Sequence, residues 1–126
     1  MSGNSLFLDT NIILYFFDGD ANAASFILDH DPIISFITEL ELLSAPNISS
    51  QERSAIQSFL KELTIVEYAE KYQSTIIDVR RKKKLKLPDA IIAGTALTLG
   101  LPFVTADKKL TQIEGLDVII YNPYNE

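Results

Sequence analysis

Leu6-Phe7-Leu8-Asp9-Thr10-Asn11, followed at once by Ile12-Ile13-Leu14-Tyr15-Phe16-Phe17 and then Asp18-Gly19-Asp20, is the stretch that decides the fold. A three-residue apolar run closed by turn-forming residues reads as a short strand with no polar face, the pattern of a strand covered on both sides. The six apolar residues after the turn read as a short buried helix. Working outward, residues 21–28 read as a second helix. Beyond Pro32, Ile33-Ile34-Ser35-Phe36-Ile37 is β-rich and reads as a second strand. Residues 38–44 read as helix with Thr38 as its cap, broken at Pro46-Asn47. Ser49 or Ser50 caps the next helix, although Ser50 with Arg53 makes a poor capping box; Ala55, Ile56, Phe59, Leu60 and Leu63 share its apolar face. Residues 63–66 predict a third strand and 69–84 a long helix. Pro88 opens and Gly100 closes another helix. Residues 102–105 and 118–121 predict the last two strands, with a helical turn over 108–112 between them. Short apolar strands alternating with helices imply one α/β domain over 1–126. Its expected core is a mostly parallel sheet of four to five strands with helices on both faces.

The chain has 126 residues, no cysteine and a single histidine, His30. Disulfides, thiol catalysis, thiolate metal sites and multi-histidine zinc sites are thereby excluded, and carboxylate chemistry remains. Residues 1–5 carry no positive charge and lead directly into the first strand, so no secretory signal is expected. The longest uncharged stretch, 90–106, is interrupted by Gly100 and Pro102 and reads as a buried helix turning into a buried strand. The expected setting is cytoplasmic, without a membrane.

Four acids occupy unusual places. Asp9 follows the first strand, Glu41 lies on the helix after the second, Asp89 follows Pro88 at a helix start, and Asp107 lies just past the strand ending at Thr105. Asp9 and Asp107 therefore project from the carboxyl edge of the sheet, where ligands bind in such folds. Each acid alone is also what a turn or a helix cap uses. Their convergence would be different in kind. Two carboxylates 4 Å apart at an effective dielectric near 20 repel by about 4 kcal/mol, and a divalent cation removes that conflict. All-oxygen ligation points to Mg²⁺ or Mn²⁺. Glu39 competes with Glu41, because two residues on a helix differ by about 200° and only one can face the site.

These residues also carry a family resemblance. Leu-Phe-Leu-Asp-Thr-Asn at 6–11, Ile-Thr-Glu-Leu-Glu-Leu-Leu at 37–43, Leu-Pro-Asp-Ala-Ile-Ile-Ala at 87–93 and Val-Thr-Ala-Asp at 104–107 resemble, in order, the four acidic motifs of PIN domains. In length and compactness the chain looks most like the VapC toxins of VapBC toxin–antitoxin pairs. The resemblance implies that Asp9, Glu41, Asp89 and Asp107 form the catalytic, metal-holding set, with Thr10, Asn11 and Thr105 as supporting polar residues. It selects Glu41 over Glu39, which is then expected to face solvent. Ser44 stands where many members have glycine, and Gly94 where alanine is common. The implied activity is Mg²⁺- or Mn²⁺-dependent hydrolysis of RNA phosphodiesters by one or two ions, which lower the pKa of water and offset charge on the scissile phosphate. The implied partners are an RNA substrate, a cognate VapB-type antitoxin and a second copy in a homodimer. For the last two, Tyr15, Phe16 or Phe17 is the contact if 12–17 is not wholly buried.

Charge is uneven. Residues 1–52 hold 8 acidic residues and no Lys or Arg; residues 53–126 hold all 11 basic residues, within a net charge of −6. Two Mg²⁺ ions would bring −6 to −2. Arg80, Arg81, Lys82, Lys83, Lys84 and Lys86 precede Asp89 and are expected to bind RNA phosphates, although cations at a helix end also suit its dipole. Neutralising Arg81, Lys82 and Lys83 should then flatten the salt dependence of RNA binding. Other readings are a PIN nuclease of RNA processing without an antitoxin and a response-regulator-like metal-binding module. Against the latter, no paired acid follows the first strand and no clear aspartate the third. A haloacid-dehalogenase-type phosphatase needs Asp-x-Asp where Asp9-Thr10-Asn11 stands, and a catalytically dead PIN domain is disfavoured by the presence of all four acids.

Overall fold

The computed structural model describes residues 3–123; Met1, Ser2 and the last three residues of the expected 1–126 domain lie outside it. The chain runs β1 (Ser5–Leu8), α1 (Thr10–Phe17), α2 (Ala21–Leu28), β2 (Asp31–Ser35), α3 (Phe36–Leu43), α4 (Ser50–Leu60), β3 (Thr64–Val66), a 3₁₀ turn (Glu70–Tyr72), α5 (Gln73–Lys83), α6 (Leu87–Leu99), β4 (Phe103–Thr105), a second 3₁₀ turn (Lys108–Gln112) and β5 (Val118–Ile120). The five strands form one sheet in the order β3-β2-β1-β4-β5, and every neighbouring pair is parallel.

The apolar strands divide their side chains by the two-residue period of the pleat. Leu6, Leu8, Ile34 and Val104 pack with Ile12, Ile13, Ala23, Ile27, Leu42 and Leu60 of α1–α4. Phe7, Ile33 and Phe103 pack on the opposite face with Ile76, Val79, Ala93 and Ala96 of α5 and α6. Helices therefore cover both faces, as the continuous apolar strands require. Tyr121, just past β5, closes the first layer: its hydroxyl donates to the Asp20 carboxylate, which also caps α2 through Asn22 N and Ala23 N. Burial, then this bond, pushes the Tyr121 phenol up to about 12. No helix among the described residues is long and apolar enough to cross a membrane.

Local signals set the starts of three helices. The β-rich run at 33–37 is strand only to Ser35, whose hydroxyl accepts from Ile37 N and starts α3 at Phe36. Thr38 is thus inside the helix and not its cap. The capping box of α4 is Ser49 with Glu52: Ser49 Oγ accepts from Glu52 N and Glu52 Oε1 accepts from Ser49 N. The expected long helix over 69–84 opens with a separate 3₁₀ turn before α5 begins.

Candidate functional site

The strand order reverses direction between β1 and β4. At that point adjacent strands send their following segments to different places and open a crevice beyond their carboxyl ends. Asp9 sits in it. Its backbone N–H extends the ladder by donating to Val104 O at 2.9 Å. Its side chain is buried, 7% exposed, and caps α1 by accepting from Thr10 N at 2.9 Å. The other carboxylate oxygen accepts from Thr105 Oγ1 at 2.7 Å and from Asn11 Nδ2 at 3.4 Å. No cation pairs with it among the described residues. Burial pushes the Asp9 carboxyl up from 3.8 to about 6, against the lowering effect of the Thr105 and Thr10 hydrogen bonds; the charges of Asp89 and Glu41 push it further up.

Thr10, Asn11 and Thr105 hydrogen-bond to the acids at this edge. Thr105 Oγ1 donates to Asp9 and accepts from Asp107 N at 3.0 Å, so it links the first strand to the turn after the fourth. Asn11 Oδ1 accepts from Ala106 N at 3.3 Å. Thr10 Oγ1 donates to Glu41 Oε1 at 2.7 Å and lies 2.8 Å from Thr38 Oγ1. A hydroxyl has one proton, so Thr38 is the donor to Thr10. This buried threonine, three residues before Glu41 on the same helical face, went unnoticed as a site residue; the i,i+3 spacing is the signal that marks it.

Glu41 reaches Thr10 from α3, and Asp89, in the first turn of α6, bears on Asp9 through its charge. Glu39 does not simply face solvent. It is half-buried in a separate groove of about 410 Å³ with Leu43, Gln57, Leu60, Lys61 and Ile65, away from Asp9. Asp107 is differently engaged: Oδ1 caps the second 3₁₀ turn through Lys109 N at 3.1 Å, and Oδ2 lies 3.6 Å from Lys109 Nζ. Among the described residues no three acidic or histidine side chains stand as a ready cage for a metal ion. The donor chemistry nevertheless fits a hard cation. Asp9, Glu41 and Asp89 offer only oxygen, the charges of Glu41 and Asp89 bear on Asp9, and a buried carboxylate without a counter-charge is what such an ion would neutralise.

The basic residues lie beside this edge. Arg80, Arg81, Lys82 and Lys83 form the last turn of α5, Lys84 ends it in the left-handed conformation, and Lys86 precedes α6. Lys82 pairs with Asp78 at 3.3 Å and Lys83 with Glu114 at 3.1 Å. The apolar run of α1 is only partly buried. Ile12 and Ile13 are in the core, while Leu14 and Phe17 are 49% and 40% exposed. Phe16 and Phe17 pack on Phe59, and Tyr15 on Tyr121.

Known structures share this fold. The chain is similar to one from a toxin–antitoxin complex of Klebsiella pneumoniae, at 29% identity and a TM-score of 0.77, over 94% of this chain and 98% of that one. VapBC2 of Rickettsia felis bound to a promoter DNA fragment matches at 21% identity and 0.82, over 94% and 99%. DNA-bound VapBC of Salmonella typhimurium matches at 22% and 0.80, over 92% and 97%. No curated protein matches the sequence. The PIN domain profile matches residues 6–116, from β1 through the turn that holds Asp107. With four acidic motifs in order and the sheet reversal beneath Asp9, the chain belongs to the PIN domain family.

Proposed function

We propose that this chain is a metal-dependent endoribonuclease and the toxin of a VapBC-type toxin–antitoxin pair, acting in the cytoplasm. The observation that carries the reading is Asp9: a buried carboxylate at the sheet reversal, with no cationic partner among the described residues and two further acids bearing on it. Asp9, Glu41 and Asp89 would hold the Mg²⁺ or Mn²⁺. Asp107 would join them on leaving Lys109. Bound there, the ion supplies Lewis acidity, lowering the pKa of water and offsetting charge on the scissile phosphate. The protein's own part is positioning. Thr10 N–H and Thr105 Oγ1 fix the two oxygens of Asp9, and the Thr38–Thr10 chain holds Glu41 toward it. The basic residues at 80–86 would draw the RNA backbone to this edge.

The toxin reading is supported by the likeness to chains from toxin–antitoxin complexes, and by an apolar groove of about 350 Å³ lined by Leu14, Phe17, Leu42, Ala45, Ile48 and Ile56. The resemblance also implies a homodimer, tested by the mass of the free protein in solution. For the activity, purified protein is incubated with a mixed RNA pool and Mg²⁺ or Mn²⁺, beside Asp9→Asn and an EDTA control. Cleavage that needs both the metal and Asp9 is expected. Cleavage that survives Asp9→Asn or EDTA would remove this site from the reaction.

A further inference from the structure

Eight of the eleven basic residues fall between positions 80 and 109, and the fold gathers four of them around one cavity. Lys82, Lys83 and Lys84 from the end of α5, with Leu85, face Lys109 and Gln112 from the turn after β4 across a notch of about 250 Å³. These segments are separated by more than twenty residues, so the notch is a product of the fold and not of the charge run alone. Lys109 connects it to the acidic site, because the same ammonium lies 3.6 Å from Asp107.

A solvated helix end explains Lys82 and Lys83, which pair with Asp78 and Glu114 and suit the negative end of α5. It does not explain Lys84. That residue has φ 54° and ψ 42°, the left-handed conformation that glycine adopts without strain and a lysine does not. Its side chain is exposed, lines the notch, and has no carboxylate partner among the described residues. Strain kept at an exposed lysine implies a use for the side chain outside the chain's own stability.

We propose that this notch is a phosphate subsite. It seats one backbone phosphate of the substrate strand on the Asp107 side of the acidic site, with Lys84 and Lys109 as the principal cations and the Gln112 amide as a neutral donor. Ammonium groups suit this role, being compact charges with freely rotating donors that grip a phosphate without reading the base. The proposal rests on the nuclease reading only for the identity of the strand.

The test is binding of a short labelled single-stranded RNA in EDTA, followed by fluorescence anisotropy over a range of salt. Each phosphate contact contributes about 0.7 to the slope of log K against log salt for single strands. Lys84→Gly and Lys109→Gln are each expected to weaken binding and to lower the slope, by about 0.7 where the contact is lost outright. Arg53→Gln on α4, across the sheet, removes the same charge and should leave the slope unchanged. Lys84→Gly should in addition raise Tm, since it relieves the left-handed strain; tighter folding with weaker binding is a combination that a structural role does not give. The proposal falls if wild type binds no RNA, if both variants keep the wild-type slope, or if Arg53→Gln loses as much. RNA cleavage with Mn²⁺ is scored separately. A notch-dependent slope without cleavage would overturn the nuclease reading and leave the subsite standing.

Discussion

Asp9 is held against its own ionisation. Its folded pKa of about 6 lies above the ordinary 3.8, so the folded chain binds this proton more tightly than the unfolded chain. The associated stability is fully present below pH 3.8 and is lost as pH rises through about 6. Two pKa units correspond to about 3 kcal/mol. Asp9→Asn removes the penalty while keeping most of the bonds: the amide oxygen still accepts from Thr10 N, and the Thr105 hydroxyl turns to accept from the amide nitrogen. The variant is therefore expected to be more stable at pH 7 by roughly 1–3 kcal/mol, and to lack the wild-type loss of stability between pH 4 and 7. Urea unfolding at the two pH values reads both. Adding Mn²⁺ at pH 7 should raise the Tm of wild type and not of the variant. Equal pH slopes in the two proteins would place the penalty elsewhere. On the proposed nuclease reading, activity and stability oppose each other at one carboxylate, as at other sites that store unfavourable charge.

At the scale of elements, Gly94 and Ser44, the two departures from the family pattern, have different physical standing. Ser44 ends α3 at φ −103°, a conformation open to any residue, so no glycine is needed there. Gly94 sits in the middle of α6, where alanine would raise helix propensity by about 1 kcal/mol. A Cβ at this position, however, would stand 2.9 Å from both Cα and Cγ1 of Ile76 and 3.2 Å from its N. Backbone atoms of α5 cannot rotate away, and overpacking of this kind costs about 1–3 kcal/mol. The clash outweighs the propensity gain, so Gly94→Ala should lower stability, and in an Ile76→Ala background its cost should shrink only by the part due to Cγ1. Thermal unfolding of the single and double variants decides it; a stabilised Gly94→Ala would mean that the helices separate freely. Such close approach between α5 and α6 is invisible in sequence, where Gly94 is only a weak point in a helix. The elements themselves were legible, because a strand with no polar face and an acid at its carboxyl end leave few other folds. The start of α3 was not. Five β-rich residues read as strand, and only the turn at the sheet edge, fixed by Ser35 Oγ, makes the last two helical. Asp9, Asp89 and Asp107 stood out as candidates by their places along the chain, whereas Glu41 was chosen over Glu39 by the family resemblance. The Thr38–Thr10 bond, the Lys109–Asp107 pair and the notch across from Lys84 depend on contacts between distant segments.

Across the whole molecule most of the cations are set apart from the acidic first part of the sequence. Residues 1–52, without a single Lys or Arg, build β1, β2 and the helices α1 to α3; the cations collect at the end of α5 and after β4. The apolar groove of α1, α3 and α4 lies in the acidic part, with Glu52 on its wall. A second copy presenting the same face would set acid against acid, so the groove suits a segment of opposite charge more than it suits itself. The proposed antitoxin then needs apolar anchors flanked by Lys or Arg. Leu14 and Phe17 are the residues to change, because each is 40% or more exposed and its loss should leave the core intact. Leu14→Ser with Phe17→Ser is expected to fold, with Tm lowered by the loss of the Phe17–Phe59 packing, and to retain the mass of the free protein in solution. Co-expressed with the product of the adjoining reading frame, the double variant should fail to co-purify with it while wild type does, and RNA cleavage by the variant should escape its inhibition. A variant that stays bound and inhibited would show that the exposed face of α1 is no interface. One that loses mass on its own would show that copies of this chain meet there despite their charge.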